Sequence, residues 1–410
     1  MTTVTDRREL VPWRNAVIAA FALGGVTLST WGPRLPSLRA DLGVPDGVLG
    51  GVLAGVTVGS LAGLGCSTVI LSWLGARGGI RNVLRLVALG LAVIGLGAGA
   101  AHSLAVTAIG FVIVGFSIGA LDVMINVEGS AVERADGRTL MPLLHAAWSS
   151  GAVLGAGLGA ACAALRLSIV WQFTGEAMLI VLCGQLLARW IPVAVPEEPA
   201  AGERPAVRER AREWARGWTD WRLLLIGVVM LGVELGEGSA NNWLTLAVRD
   251  EHHQADAVAA VFFVVFAVAE TTARVLGGPL VDRIGRTTAV RVTTALGVLG
   301  MLLFILAGPA WLVLVGAFLW AVGVSLGFPL GMSAAAESGP NPAARVSVVA
   351  SIGYLANLAG PPAIGLLSQS FGLRGALWLV AALLAVAFAV SGVLRGATPK
   401  NQADGVHTTR

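Results

Sequence analysis

The sequence predicts an all-α polytopic membrane protein, with twelve transmembrane helices in two six-helix, pseudo-symmetric halves. Three observations predict it. The 410 residues are 56% hydrophobic and only 13% charged, about half the ~25% charge of a soluble globular chain. Apolar stretches near the ~20 residues needed to cross a bilayer recur along the whole length. A short loop pattern also recurs at half the length. Leu74-Gly-Ala-Arg77-Gly-Gly79 answers Leu280-Val-Asp-Arg283-Ile-Gly285, with Arg77 and Arg283 206 positions apart.

Taken in order, the apolar stretches place spans at 14–36, 47–73, 79–101, 104–131, 139–164 and 168–193 in the first half. The second half holds 222–248, 255–280, 286–308, 310–334, 342–370 and 374–396. The domains are therefore an N-terminal bundle over 1–193, a linker over 194–221, a C-terminal bundle over 222–396 and a tail over 397–410. The linker, Pro-rich and then Arg-rich, predicts a basic amphipathic helix on the membrane surface. The tail has no apolar pattern and predicts disorder. Arginine is concentrated at the termini, in the linker and in alternate loops, so both termini and the linker are expected in the cytoplasm. Arg7, Arg8 and Arg14 before the first apolar stretch suit a retained span and not a cleaved leader.

An ionised group at mid-bilayer costs ~2.5–3.5 kcal/mol on insertion scales, so each such residue is a candidate site. Span one carries Gly24, Thr27, Trp31 and Arg34 on one stripe. Trp31 could stack on a ligand or sit in an interfacial belt, and Arg34 could snorkel outward. Span four carries Gly115, Gly119, Asp122, Asn126, Gly129 and Glu133 at helical spacing. That narrow polar stripe faces a cavity or a close helix, not lipid. Asp122 reads either as a proton carrier or as a structural hydrogen bond. Glu128 points away, toward a charge pair or water. His145, with Trp148 and Ser149, opens span five and could bind substrate or relay protons with Asp122, or make a plain polar contact. Span seven offers Glu234, Glu237, Asn241 and Trp243, a rim for a cationic or polyhydroxylated solute or a wetted outer mouth. Proton coupling is thus expected of Asp122, His145 and Glu237.

Glu270 and Arg274, four apart on span eight, are in the favourable order for an intrahelical pair. With Asp282 and Arg345 they are expected to form a gating latch. Span eleven offers Tyr354, the only tyrosine, and Asn357 ahead of Gly360-Pro361-Pro362, a hinge or a fixed kink. Substrate binding is expected of Trp31, Arg34, Asn126, Trp148, Ser149, Glu234, Asn241, Trp243, Tyr354 and Asn357. Cys66, Cys162 and Cys183 lie in apolar runs without metal or redox spacing. No Gly-rich phosphate loop ends in Gly-Lys-Ser/Thr, and no Cys/His cluster suggests a metal, so no enzyme, cofactor or metal is expected. A formal net charge of +4 does not suggest nucleic acid. The expected partners are a small-molecule substrate, protons and the lipid bilayer, with the monomer as default.

The segment Leu280-Val-Asp-Arg-Ile-Gly-Arg286, preceded by Gly277-Gly278, resembles the loop signature of the major facilitator superfamily; the first-half copy lacks the Asp. Within it the chain is similar to a bacterial branch typified by YbjJ-like proteins, distantly similar to fucose permease. The matching pieces are Thr30–Val44, LDVMINVEGSAVER with His145 to Gly151, Glu237 to Trp243, and Gly353 to Gly365. Asn242 stands where branch members often carry Asp, and span four lacks the Arg of many drug–proton antiporters. The resemblance implies alternating access around a mid-bilayer cavity, in a bacterial inner membrane. Export of a drug-like or cationic metabolite, proton-coupled import of a sugar-like nutrient, lipid flipping and solute sensing all stay open, with the balance toward export. A lone Asp near a His suits H⁺ better than an oxygen-rich Na⁺ cage.

Overall fold

The computed structural model describes residues 7–44, 46–192, 207–339 and 341–395. Among these residues the chain is helical, without a strand. Span one is Arg7–Ser29, carried on by the 3-10 turn Gly32–Arg34 and the helix Leu35–Leu42. It starts ahead of the predicted residue 14, with Glu9 in the first turn against the positive end of the helix dipole. Spans two and three form one run, Asp46–Gly99, divided at Gly75 by φ 65° and ψ 176°. Span four is Leu104–Asp136, span five Met141–Ala164 and span six Ile169–Ala188.

In the second half, span seven is Trp221–Leu246, span eight Asp256–Ile284 and span nine Arg286–Leu306. Gly285, at φ 81°, divides the last two. The two dividing glycines, Gly75 and Gly285, stand 210 positions apart. The backbone repeat is therefore offset by one helical turn from the Arg77/Arg283 match of the sequence. Span ten is Ala310–Val324 with Gly327–Glu337. Span eleven opens Pro342–Ala376, which stays helical through Gly360-Pro361-Pro362 and breaks instead at Gly372, φ 69°. The prolines remove donors but keep helical φ, whereas Gly372 adopts a left-handed φ that L side chains resist. Span twelve continues as Trp378–Val390 and the turn Ser391–Leu394.

Among the described residues, nine helical stretches are apolar and long enough to cross a bilayer, ten with the pair Pro362–Ala376 and Trp378–Leu394, bent by 67°. Dividing Asp46–Gly99 at Gly75, and the run from Pro342 to Leu394 at Gly372, gives twelve crossings among the described residues.

Span ten, read from the sequence as 310–334, is broken between Val324 and Gly327, and Pro329 is the reason. Proline has no N–H for the carbonyl four residues back, here Ser325. Arg274 Nε of span eight takes that carbonyl at 3.2 Å.

Each half has its own apolar core, one around Phe21, Phe111 and Phe173, the other around Phe266, Phe304 and Trp320. Small residues set the helix spacing within the halves. A Cβ at Gly63 would enter the Phe116 carbonyl, and one at Gly119 the Ser60 carbonyl, locking spans two and four. Gly25 and Gly151 do the same for spans one and five. A third core joins the halves, with Leu64 and Val123 of the first set among Ile226, Met230 and Val346 of the second.

That joint lies at the end where Arg14 meets Asp136 at 3.7 Å and Arg222 bonds the Arg395 carbonyl at 2.8 Å. The linker helix Val207–Gly217 is there too, its Trp214 Nε1 donating to Ser347 Oγ at 3.2 Å. Residues 194–206 and the tail 397–410 lie outside the described residues. We call this end the linker end.

Candidate functional site

The stripe on span four meets helices, not an open cavity. Gly115 and Gly119 abut the backbone of span two, and Gly129 abuts Leu144 of span five. Between them, Asn126 Nδ2 donates to the Asp122 carbonyl at 2.9 Å and to Asp122 Oδ1 at 3.1 Å. Asp122 is 5% exposed, and its Oδ2 has no partner among the described residues. Asn126 Oδ1 lies 3.1 Å from His145 Nε2. With the amide nitrogen on Asp122, its oxygen is an acceptor, which places a proton on Nε2. The His145 ring is held edge-on by Phe21 of span one at 5.2 Å and by Phe328 of span ten at 5.3 Å. The imidazole therefore stands where the two halves meet.

One turn on, Ser149 Oγ donates to the His145 carbonyl at 3.2 Å and accepts from Arg274 Nη1 at 2.8 Å. Arg274 comes from the other half. Its Nη2 lies 2.6 Å from Glu237 Oε2 and 2.8 Å from Glu270 Oε1. The fork of the guanidinium, with Nε on the Ser325 carbonyl, serves four groups on four spans. Two more groups complete the surroundings. A Cβ on Gly353 would stand 3.4 Å from Glu234 Cγ, and neighbouring Tyr354 is within electrostatic reach of both Asp122 and Glu234. Three carboxyl groups, those of Glu234, Glu237 and Glu270, thus gather around one guanidinium.

Of the residues expected to act, the structure brings Asp122, Asn126, His145, Ser149, Arg274, Glu237, Glu270, Glu234 and Tyr354 together. Trp148 is partly exposed and covers Gly24. Trp243 is partly buried beside Gly365, and Asn241 is exposed. The side chain of Asn357 lies outside the described residues.

Other residues stand apart. Trp31 is buried edge-on against Phe111 at 5.7 Å and so is neither a belt residue nor an exposed stacking platform. Arg34 does not snorkel: it is 3% exposed, with Nη2 on the Leu167 carbonyl at 2.6 Å. The carbonyl takes a charge that would otherwise need water. Glu128 is buried, accepting from Trp13 Nε1 at 2.7 Å, and is not solvated. Asp282 and Arg345 do not join Glu270 and Arg274. Asp282 accepts from the Thr139 N–H at 2.9 Å, and Arg345 binds Asp220 and Ser338.

The latch that does bridge the halves was not singled out from the sequence. Glu133 Oε2 accepts from the Leu140 and Met141 N–H groups at 2.7 and 2.8 Å, holding the start of span five. Its Oε1 accepts from Ser333 Oγ and faces Arg286 Nη2 at 3.8 Å. Arg286 is forked onto Glu337 at 2.9 and 3.0 Å. Glu133 stood on the span-four stripe, but its partners were not legible; an acid missed outright is Glu176 on span six, buried with Thr30 Oγ1 at 2.7 Å and Gln172 Nε2 at 2.9 Å. Its one signal was a lone carboxylate within an apolar helix.

Comparison with known proteins follows the same lines. The sequence profile of the Major Facilitator Superfamily matches residues 228–408. An uncharacterized transporter of Sinorhizobium fredii is 31% identical over 390 residues, covering 95% of this chain and all of the relative. An uncharacterized MFS-type transporter of Yersinia pestis is 28% identical, covering 89% of this chain and 91% of the relative. Among solved structures, the transporter FucP in its outward conformation superposes with a TM-score of 0.76 at 16% identity, over 95% of this chain and all of FucP.

Proposed function

The chain belongs to the major facilitator superfamily, and on that premise we propose that it is a proton-coupled transporter exporting a cationic or amphipathic organic molecule. The observation that carries the proposal is the series of hydrogen bonds and ion pairs between the spans: Asp122, Asn126, His145 and Ser149 in one half, Arg274 with Glu237 and Glu270 in the other. Asp122 has a free oxygen to carry the proton, and His145 holds Asn126 against it. Arg274 ties that series to the opposite half, so a charge gained or lost on either side changes the bond between them. The excess of carboxyl groups favours a cation over an anion as solute. The orientation that serves export puts both termini and the linker in the cytoplasm, in line with the arginine distribution.

Import of a sugar-like solute is the second reading. It draws on partly exposed Trp148 in the first half and on Trp243 with exposed Asn241 in the second, groups of the kinds that stack on and hydrogen-bond a pyranose. FucP is a fucose:proton symporter by description, at 16% identity.

The test uses purified protein in liposomes under an imposed pH gradient, with a pooled set of organic cations and sugars and an ionophore control. Ionophore-sensitive accumulation of a cation in inside-out vesicles is expected. Uptake of a sugar alone, in right-side-out vesicles, replaces export with import. Asp122→Asn keeps the Asn126 bond to the 122 carbonyl, so solute exchange without a gradient is retained while gradient-driven accumulation is lost. Normal accumulation by that variant removes Asp122 as the coupling group.

A further inference from the structure

The chain crosses a bilayer, so a groove on its outer wall is filled by lipid. One such groove, of about 850 Å³, runs along span eight and is roofed by span ten. Its walls are Val264, Val268, Leu276, Leu280 and Phe318, each 40–62% exposed. Its floor is the small-residue face of span eight, Ala269, Thr272 and Ala273. At the linker end the apolar lining stops at Arg283. Arg283 is exposed and makes no hydrogen bond or ion pair to a described residue. The arginine three residues on, Arg286, is by contrast committed to Glu337 and Glu133.

We infer that this groove holds one anionic phospholipid of the bilayer, an acyl chain along span eight and the phosphate on Arg283. From Arg283 to Thr272 the helix rises ~16 Å, by 1.5 Å per residue. The groove runs on to Val264, ~28 Å from Arg283 and so nearly the whole ~30 Å hydrocarbon core; a lipid with its phosphate at Arg283 fills the part nearer the linker end, down to about Thr272. The charge is what selects the occupant: an apolar groove alone takes any chain, whereas a guanidinium without a carboxylate at its mouth prefers an anionic headgroup by electrostatics and by bidentate geometry. The site also touches the joint between the halves. Leu326 lines the groove, and a Cβ on Gly277 would strike both Leu326 and Pro142 of the first half. Asp282, next to Arg283, holds the Thr139 N–H. A lipid seated here supports the linker end in its closed form. The inference rests on the membrane-spanning fold and not on the identity of the solute.

The test exchanges purified protein into detergent with equal phosphatidylglycerol and phosphatidylcholine, re-isolates it, and counts retained lipids by mass spectrometry. Wild type is expected to hold one phosphatidylglycerol in preference to phosphatidylcholine. Arg283→Gln is expected to cut that preference about fivefold, the effect of one cation at the membrane surface. Val268→Trp fills the groove from its exposed side and is expected to reduce retained lipid of both kinds. Both positions face outward, and monodisperse elution checks that the variants fold. Wild type without a preference, an unchanged preference in Arg283→Gln, or full retention in Val268→Trp each overturns the assignment.

Discussion

At the scale of residues, the site is governed by one arginine. Arg274 is buried, and its cost is met only because four groups converge on it. Removing one member of such a buried set leaves charges unpaired, typically at ~3–5 kcal/mol. Arg274→Met is therefore expected to lower the yield of folded protein sharply in a size-exclusion and thermal-melt assay. Adding Glu270→Gln should restore part of it, because fewer carboxylates then stand uncompensated. Arg274→Lys keeps the charge but not the fork, and cannot serve Ser325, Ser149 and both acids at once. Equal melting of Arg274→Met and Arg274→Met/Glu270→Gln would show that Glu270 does not depend on Arg274. Much of this was legible from the sequence: the i, i+4 spacing of Glu270 and Arg274 and the helical stripe through Asp122 and Asn126. What was not legible is pairing across the halves. Nothing local tells that Arg274 reaches Ser149, 125 positions away. Nor does it tell that Pro329 frees the carbonyl Arg274 takes.

At the scale of elements, glycines and caps decide where helices run. Gly119 stands against the Ser60 carbonyl, a contact with backbone that cannot yield as a flexible side chain would. Gly119→Val should overpack this crossing by ~1–3 kcal/mol or more and lower the melting temperature, whereas Gly157→Val, with open space around it, should not. A wild-type melt for Gly119→Val would sink the close-packing account. Span seven begins at Asp220, whose Oδ1 accepts from the Arg222 and Leu223 N–H groups at 3.0 and 3.3 Å. Its Oδ2 binds Arg345 at the start of span eleven. Burial opposes ionisation of Asp220, but the Arg345 bond and the two N–H groups outweigh it and hold the carboxyl below its usual 3.8. A depressed folded value means that the stabilisation is fully present above about 4 and is lost as pH falls through the folded value. Asp220→Ala should cost ~0.5–2 kcal/mol at neutral pH through the cap. Asp220→Asn keeps the cap and should lose only the ion pair. The gap between wild type and Asp220→Asn should narrow below pH 4; a constant gap would argue against the ion pair. The sequence marked the linker and the start of span seven. It put a hinge or a fixed kink at Gly360-Pro361-Pro362, where the helix runs on, because Gly-Pro-Pro is a strong local signal, while the break falls at Gly372 in the turn into span twelve.

At the scale of the whole molecule, the halves are closed at the linker end. Between the halves, Asp282 meets Thr139, Ser333 and Arg286 meet Glu133, and Ser347 Oγ donates to the Leu64 carbonyl at 2.7 Å. The deepest bond between them is Arg274 to Ser149. Opening the linker end must break the Glu133–Arg286 contact and draw Leu64 and Val123 out of the shared core. Glu133 has a second role, since it also holds the start of span five, so Glu133 variants confound folding with gating. Arg286 is the cleaner handle: its fork onto Glu337 lies within one half, and only its reach to Glu133 crosses. Arg286→Gln should therefore leave both bundles folded but weaken the closed end. A loss of ~1–2 kcal/mol shifts the ratio of closed to open forms about 5- to 30-fold. The readout is thiol labelling of a single cysteine at Val123, with Cys66, Cys162 and Cys183 replaced. Labelling should accelerate in Arg286→Gln by that factor, while labelling at Asn241, exposed toward the other end of span seven, should slow or hold. Unchanged labelling at both positions would mean that the shared apolar core, and not the ion pair, keeps this end shut.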